Sequence, residues 1–223
     1  MKAMILAAGR GERLRPLTDT LPKPLVAVGP HTLIEWHIVR LVAAGIRELV
    51  INLSYRGDQI RDHLGEGQAY GANIRYSAEG EPPLETGGGI FQALPLLGAE
   101  PFLVVNGDIW TDFPYAQLQA TGKLAHLVMV DNPEHHPQGD FYLDEGQIND
   151  QGQGRRLTYS GIGIYTRELF AACSPGRFPL APLLRDAIRQ GQVSGEYYPG
   201  EWLDIGTLER LEQLRRQVSE AQA

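Results

Sequence analysis

The chain opens on a nearly unbroken apolar run, Met1 to Ala8, the pattern of a strand covered on both faces. A Gly- and Pro-rich loop follows to about Pro30. Beyond it, Ile34, Ile38, Leu41 and Val42 recur at helical spacing on one stripe, and Gly45 is placed to end that helix. Glu48 to Leu53 (ELVINL) reads as a second buried strand, Asp58 to Leu64 as a short helix, and Asn73 to Ser77 as a third strand. A helix near Gly88 to Leu97 precedes the apolar strand Pro101 to Val105. Alternation of this kind predicts an α/β fold: a Rossmann-like, mostly parallel sheet with helices on both faces and right-handed crossovers.

The second half is less regular. Lys123 to Val130 reads as a strand, and Asp140 to Ile148 as a hairpin turning at Asp144-Glu145-Gly146. Thr158 to Tyr165 is a strand loosened by glycines, and Leu180 to Gln190 a helix. Trp202 to Ile205 is a short strand end, followed by a terminal helix from Leu208 to about Val218. Neither a repeat nor a linker-like shift of composition interrupts the chain, so residues 1–223 are expected to form one domain.

Composition narrows the setting. With 223 residues, 43% hydrophobic and 21% charged, the chain can bury a sizeable core without metals or disulfides. Cys173 is the single cysteine, which rules out an internal disulfide and suits a reducing compartment. The opening apolar run is too short for a signal peptide, and no later run approaches the roughly 20 residues of a membrane helix. A cytoplasmic protein that engages no membrane is expected. A formal net charge of -7 argues against a nucleic-acid surface but leaves room for a small phosphate ligand. Arg10, Arg13, Arg15 and Lys23 crowd the first loop, although such a run is also what a solvated face shows.

Four segments can carry chemistry. Leu6-Ala7-Ala8-Gly9-Arg10-Gly11-Glu12-Arg13 follows a buried strand, at the sheet edge where open α/β folds bind ligands. Its glycines let bare backbone N–H groups approach phosphate, and Arg13 can hold two phosphate oxygens. Pro22-Lys23-Pro24 stiffens the loop around a lysine. Asp108, after Val104-Val105-Asn106-Gly107, and Asp204, before Ile205-Gly206-Thr207, both stand at strand ends. Two carboxylates converging on one edge suit a magnesium ion bridging phosphates. Each segment alone also has a plain structural reading, as a turn, a solvated lysine or a helix cap. His135-His136, flanked by Pro133 and Pro137, reads as a surface turn rather than a zinc site.

Together these segments resemble the sugar-1-phosphate nucleotidyltransferases. The matching stretches are LAAGRGERLRPLTDTLPKPL, YSAEGEPPLETGGG, LVVNGD, YSGIGIY and WLDIGT, in that family's order and spanning residues 6–207. The resemblance implies a nucleotide-diphospho-sugar transferase fold whose substrates are a nucleoside triphosphate and a sugar 1-phosphate, with Mg2+ as cofactor and a monomer expected. It implies catalytic roles for Arg13, Lys23 and Asp108, and magnesium on Asp108 and Asp204. The nucleotide would lie against Ala8, Gly9, Gly11, Glu12, Arg13, Lys23, Glu79 and the 85–88 turn with Thr86 and Gly87. The sugar would lie against Asn106, Gly139 and Asp140. Residues to about 110 would then bind nucleotide, residues from about 110 to 207 the sugar, and 208–223 would form the terminal helix.

The sequence also departs from that pattern. Glu12 stands where family loops often carry Thr, and no Glu-Lys-Pro follows the hairpin, where Gly146 to Arg156 run instead. The lysine that helps hold the sugar phosphate in many members is therefore lacking. The chain ends soon after the terminal helix, so a minimal, unregulated transferase is expected. LETGGG, LTYSGIGIY and the short length resemble most a uridylyltransferase branch that handles a muramic sugar in cell-wall recycling. Arg155 or Arg156 is the expected partner for that sugar's lactyl carboxylate.

Overall fold

Periodicity and loop chemistry translate directly into the first half of the computed structural model, which describes residues 1–152 and 154–220. In chain order the strands are β1 (Ala3–Leu6), β2 (Ala27–Val28), β3 (His31–Thr32), β4 (Glu48–Leu53), β5 (Asn73–Ala78), β6 (Phe102–Asn106) and β7 (Ile109–Thr111). They continue as β8 (Ala125–Val130), β9 (Phe141–Asp144), β10 (Gln147–Asn149), β11 (Arg155–Tyr165), β12 (Val193–Tyr197) and β13 (Trp202–Asp204). The helices are α1 (Leu33–Ala43), α2 (Gly57–Leu64), α3 (Glu85–Leu97), α4 (Ala181–Arg189) and α5 (Leu208–Glu220). Of the terminal segment expected to be helical, residues 221–223 lie outside the described residues. So does residue 153, within the stretch compared with the family's Glu-Lys-Pro segment.

Nine strands form one sheet in the order β5-β4-β1-β6-β11-β8-β12-β10-β9, and β9 pairs with β11 as well. The run β5-β4-β1-β6 is parallel, as the strand-helix alternation predicts. Past β6 the sheet is mixed: β11 is antiparallel to both β6 and β8, and β12 returns parallel to β8. Helices cover both faces. Ala3 and Ile5 of β1 pack with Ile38, Leu41 and Ile60 of α1 and α2, while Met4 points the other way, against Ile90, Ala93 and Leu97 of α3. This alternation is the two-residue period of a strand buried on both sides. A third cluster sets Leu211, Leu214 and Val218 of α5 against Val26, Val28, Leu33 and Ile205, which clamps the first loop from outside. Each such side chain, buried fully, contributes about 1.5–3 kcal/mol. No helix among the described residues is long and apolar enough to cross a membrane.

Two elements differ from the sequence reading. β12 (VSGEY) has too few apolar positions to read as a strand, yet it pairs along β8 from Val193 to Tyr197. Residues 85–88, expected to form a turn, are the first turn of α3. The glycines there serve close packing: a Cβ on Gly88 would lie 2.3 Å from the Gly176 carbonyl oxygen, and one on Gly89 2.3 Å from Glu79 Oε1.

The start of α1 carries a capping box. Glu35 N donates to Thr32 Oγ1 at 3.4 Å, and Thr32 N donates to Glu35 Oε2 at 2.6 Å. Partial burial pushes the Glu35 pKa up, but hydrogen bonds from Tyr70, Thr32 and His63 outweigh it and hold the pKa down at about 2, from an ordinary 4.5. The folded-state value lies below the unfolded one, so this contribution to stability is full above pH 4.5 and is lost as pH falls toward 2. Melting curves should therefore show wild type and Glu35→Gln converging over that window. A gap that stays constant from pH 6 to pH 3 would disprove the assignment.

Candidate active site

β1 and β6 lie side by side in parallel, with Leu6 opposite Asn106, so the loops that leave them open at the same carboxyl edge. Gly107 N donates to Leu6 O at 2.9 Å and ties the two ends together. Between them lies a cavity of about 530 Å³, within the usual size of a small-molecule site. Ala8, Gly9, Gly11, Glu12, Arg13, Lys23, Glu79 and Thr86 all line it, as the sequence led one to expect.

The first loop folds back on itself through Gly11, whose φ of 64° is left-handed. A Cβ there would stand 3.0 Å from Lys23 Cβ and from Thr18 Cγ2, and Thr18 Oγ1 donates to Gly11 O at 2.8 Å. This closure buries the Lys23 side chain to 9% exposure and sets its Nζ 2.8 Å from Asp108 Oδ2. Arg13 lines the same cavity, is exposed, and makes no ion pair among the described residues. Gly206 lets it approach: a Cβ at Gly206 would lie 3.1 Å from Arg13 Cζ. Across the mouth, Arg10 pairs with Glu81 at 3.1 Å.

Asn52, on β4, organises the floor. Its Oδ1 accepts from Ala7 N at 2.7 Å and its Nδ2 donates to Glu79 Oε1 at 2.6 Å, while Glu79 Oε2 accepts from Leu84 N at 2.8 Å. Both oxygens of Glu79 are thus committed to protein donors, so it positions the cavity wall. Gly87 does not line the cavity, because its Cα face is pressed against Phe178, where a Cβ would meet Cδ2 at 2.6 Å.

A second cavity of about 330 Å³ adjoins the first, and Asn106 and Asp108 line both. Asp204 lines the second, brought there by pairing of β13 with β7, in which Asp204 faces Ile109 and Ile205 N donates to Asp108 O at 2.8 Å. Two carboxylates distant in sequence therefore line one cavity. Each has an internal cation: Lys23 on Asp108, and Arg210 of α5, 2.9 Å from Asp204 Oδ1. His37 lies beneath, 2% exposed. Burial and the neighbouring Arg40 push its pKa down to about 4, so it is neutral near pH 7 and adds no positive charge under Asp108. The hard carboxylate oxygens of Asp108 and Asp204 suit magnesium, which takes few protein ligands and fills its shell from phosphate and water. Among the described residues no group of three or more His, Cys, Asp or Glu could hold a metal ion.

The sugar-side expectations fare unevenly. Asn106 faces both cavities, but Gly139 and Asp140 line neither. Gly139 (φ 59°) packs against Asn132 and the Leu157 carbonyl, and Asp140 reaches the second cavity only through His136, whose Nε2 is 3.1 Å from its Oδ1. Arg155 and Arg156 line neither cavity. Arg155 pairs with Asp131 and lies over the Tyr197 ring, and Arg156 lies over Tyr142, which draws both toward the outer strands. Conversely, His135 and His136 line the second cavity, and His135 Nε2 stands 2.9 Å from Asp204 Oδ1. The prolines around them signalled a turn, and nothing local in the sequence shows which wall that turn forms.

A nucleotidyl transferase family profile matches residues 2–141. The N-acetylmuramate alpha-1-phosphate uridylyltransferase of Neisseria meningitidis serogroup B is 54% identical over 222 residues, covering 96% of this chain and 96% of that protein. A protein of the same name from Caulobacter vibrioides is 36% identical, covering 92% and 91%. Among solved structures, HddC from Yersinia pseudotuberculosis complexed with GMP-PN superposes with a TM-score of 0.80 at 22% identity, covering 97% of this chain and 99% of that one. The inositol-1-phosphate CTP transferase from T. maritima superposes with a TM-score of 0.78 at 17% identity, covering 98% and 96%. The chain belongs to the nucleotidyl transferase family.

Proposed function

We propose that this protein is a cytoplasmic, magnesium-dependent uridylyltransferase that joins UTP to N-acetylmuramate 1-phosphate and releases pyrophosphate, in recycling of the cell wall. The observation that carries this reading is the pair of adjoining cavities sharing Asp108 and Asn106 at their junction. That junction is where a nucleotidyl group would pass from one bound substrate to the other. The choice of base and sugar rests on the 54% identical relative from N. meningitidis.

In the reaction, a phosphate oxygen of the sugar 1-phosphate attacks the α-phosphorus of UTP in line. The new P–O bond forms as the bond to the β-phosphate oxygen breaks, and pyrophosphate departs. The nucleophile is already an anion, so no general base is required. Arg13 and Lys23 hold phosphate oxygens and offset the charge that would keep two anions apart. The Gly9–Gly11 backbone admits the triphosphate. Lys23 is already fixed by Asp108 and needs little reorganisation to act. Magnesium, when held by Asp108 and Asp204, would add cationic charge against the triphosphate.

Pyrophosphate release, measured with UTP, dTTP, GTP and CTP against N-acetylmuramate, N-acetylglucosamine, glucose and mannose 1-phosphates, tests the proposal. Release chiefly with UTP and the muramate sugar is expected, and preference for another pair would discard the substrate assignment. Gly9 offers a sharper probe of the nucleotide's place. A Cβ there meets no atom within 4 Å, so Gly9→Ala should melt like wild type. Its methyl would occupy ligand space, so calorimetric titration should show UTP binding weakened by about tenfold. An unchanged affinity would place the nucleotide elsewhere.

A further inference from the structure

We propose that His136, oriented by Asp140, recognises the carboxylate that distinguishes the muramic sugar from its neutral parent. This rests on the functional reading above, in which the acceptor carries a lactyl ether ending in a carboxylate. N-acetylglucosamine 1-phosphate lacks that group, so a site preferring the acidic sugar needs a donor able to carry positive charge at the right place.

Among the described residues lining the second cavity, His135 and His136 are the only side chains of that kind. His135 is already committed. Its Nε2 is 2.9 Å from Asp204 Oδ1, and both its ring nitrogens lie within 2.8 Å of Arg210 Nη1. His136 has one side-chain partner among the described residues, Asp140, through Nε2. That bond places a proton on Nε2 and leaves Nδ1 for a ligand. As the imidazolium, the ring donates from both nitrogens, from Nε2 to Asp140 and from Nδ1 to the substrate carboxylate.

The segment bearing His136 is built, not loose. Asp140 Oδ2 accepts from Tyr159 N at 2.8 Å, and Asp140 N donates to Leu157 O at 2.8 Å, which fixes the orienting carboxylate to β11. Asn132 Nδ2 donates to the Pro137 and Arg156 carbonyls, and its Oδ1 accepts from Thr158 Oγ1 at 2.9 Å. His136 N donates to Pro133 O at 2.8 Å, closing the turn. Asp140 is thus a positioning residue that acts through the histidine.

The test is the ratio of kcat/KM for N-acetylmuramate 1-phosphate to that for N-acetylglucosamine 1-phosphate, measured with UTP for wild type, His136→Gln and Asp140→Asn. Loss of one hydrogen bond to a charged group should lower the ratio by roughly 10- to 100-fold in His136→Gln, mostly through KM for the acidic sugar. Asp140→Asn should move it in the same direction by less. A ratio unchanged in His136→Gln, with wild type favouring the muramic sugar, would overturn the assignment while leaving the functional reading intact. Equal losses on both sugars would make the turn merely structural and overturn it too. A wild-type enzyme that ignores the muramic sugar would bring down both.

Discussion

Replacing Asp108 with asparagine should leave a folded enzyme whose kcat falls by about 10²–10³, on the order of 2–4 kcal/mol of barrier. Asparagine keeps the shape and can still accept from Lys23 Nζ, so the buried lysine retains a hydrogen bond. What disappears is the negative charge. Lys23 then has no fixed counter-charge, and the second cavity loses one of its two carboxylates. Because Asp108 is about half exposed, the stability cost should stay near 1 kcal/mol or less, a few degrees in Tm at most. Steady-state kinetics with UTP and the sugar phosphate, read beside a melting curve, check both halves. Lys23→Met should cost a similar amount, and the double variant less than the sum, since the two side chains act as a unit. A kcat for Asp108→Asn within threefold of wild type would remove Asp108 from the chemistry.

Gly107→Ala should fail differently, losing stability and activity together. Gly107 stands between Asn106 and Asp108, and its amide bonds the Leu6 carbonyl at 2.9 Å. A Cβ would sit 2.4 Å from that same oxygen, which belongs to backbone at the end of β1 and cannot swing aside. Relief requires the ends of β1 and β6 to part, at a cost of about 1–3 kcal/mol. Asp108 moves with them, and a displacement near 1 Å can cost roughly 10² in rate. Thermal melting and kcat measured on one preparation test this. A variant with wild-type melting and wild-type turnover would show that the junction tolerates what the geometry forbids.

The two variants mark where the sequence could be read and where it could not. β1, β4 and β6 announce themselves because strands covered on both faces must be almost wholly apolar, and the residues just beyond them then fall at the binding edge. Gly11, Arg13 and Asp108 fall in the loops after β1 and β6 for that reason, whereas Asp204 lies in β13, which pairs with β7 outside the main sheet. Gly107 was visible as a glycine, but its partner, Leu6 O, is a contact across strands a hundred residues apart. The triple glycine of α3 is similar: it looks like a turn until Phe178, Gly176 and Glu79 are seen filling the space where side chains would be. β12 was silent since a strand lying along β8 can carry Ser and Glu at its half-buried positions. Glu79 was placed at the ligand by its position in the motif, whereas the Asn52 bond that occupies it comes from a different strand. Arg155 and Arg156 carry the right charge, and only the pairing of β11 with β9 shows which way they are drawn.

The position of Asp204 joins distant parts of the chain in one site. Lys23 and Asp108 belong to the loops that leave β1 and β6, which pair side by side. Asp204 and its partner Arg210 come from β13 and α5, far along the sequence from both. The nucleotide cavity also takes Gly206 from this segment, and α5 packs against the first loop, so that cavity too depends on both parts of the chain. Loosening α5 would therefore disturb the nucleotide cavity and the acceptor cavity together.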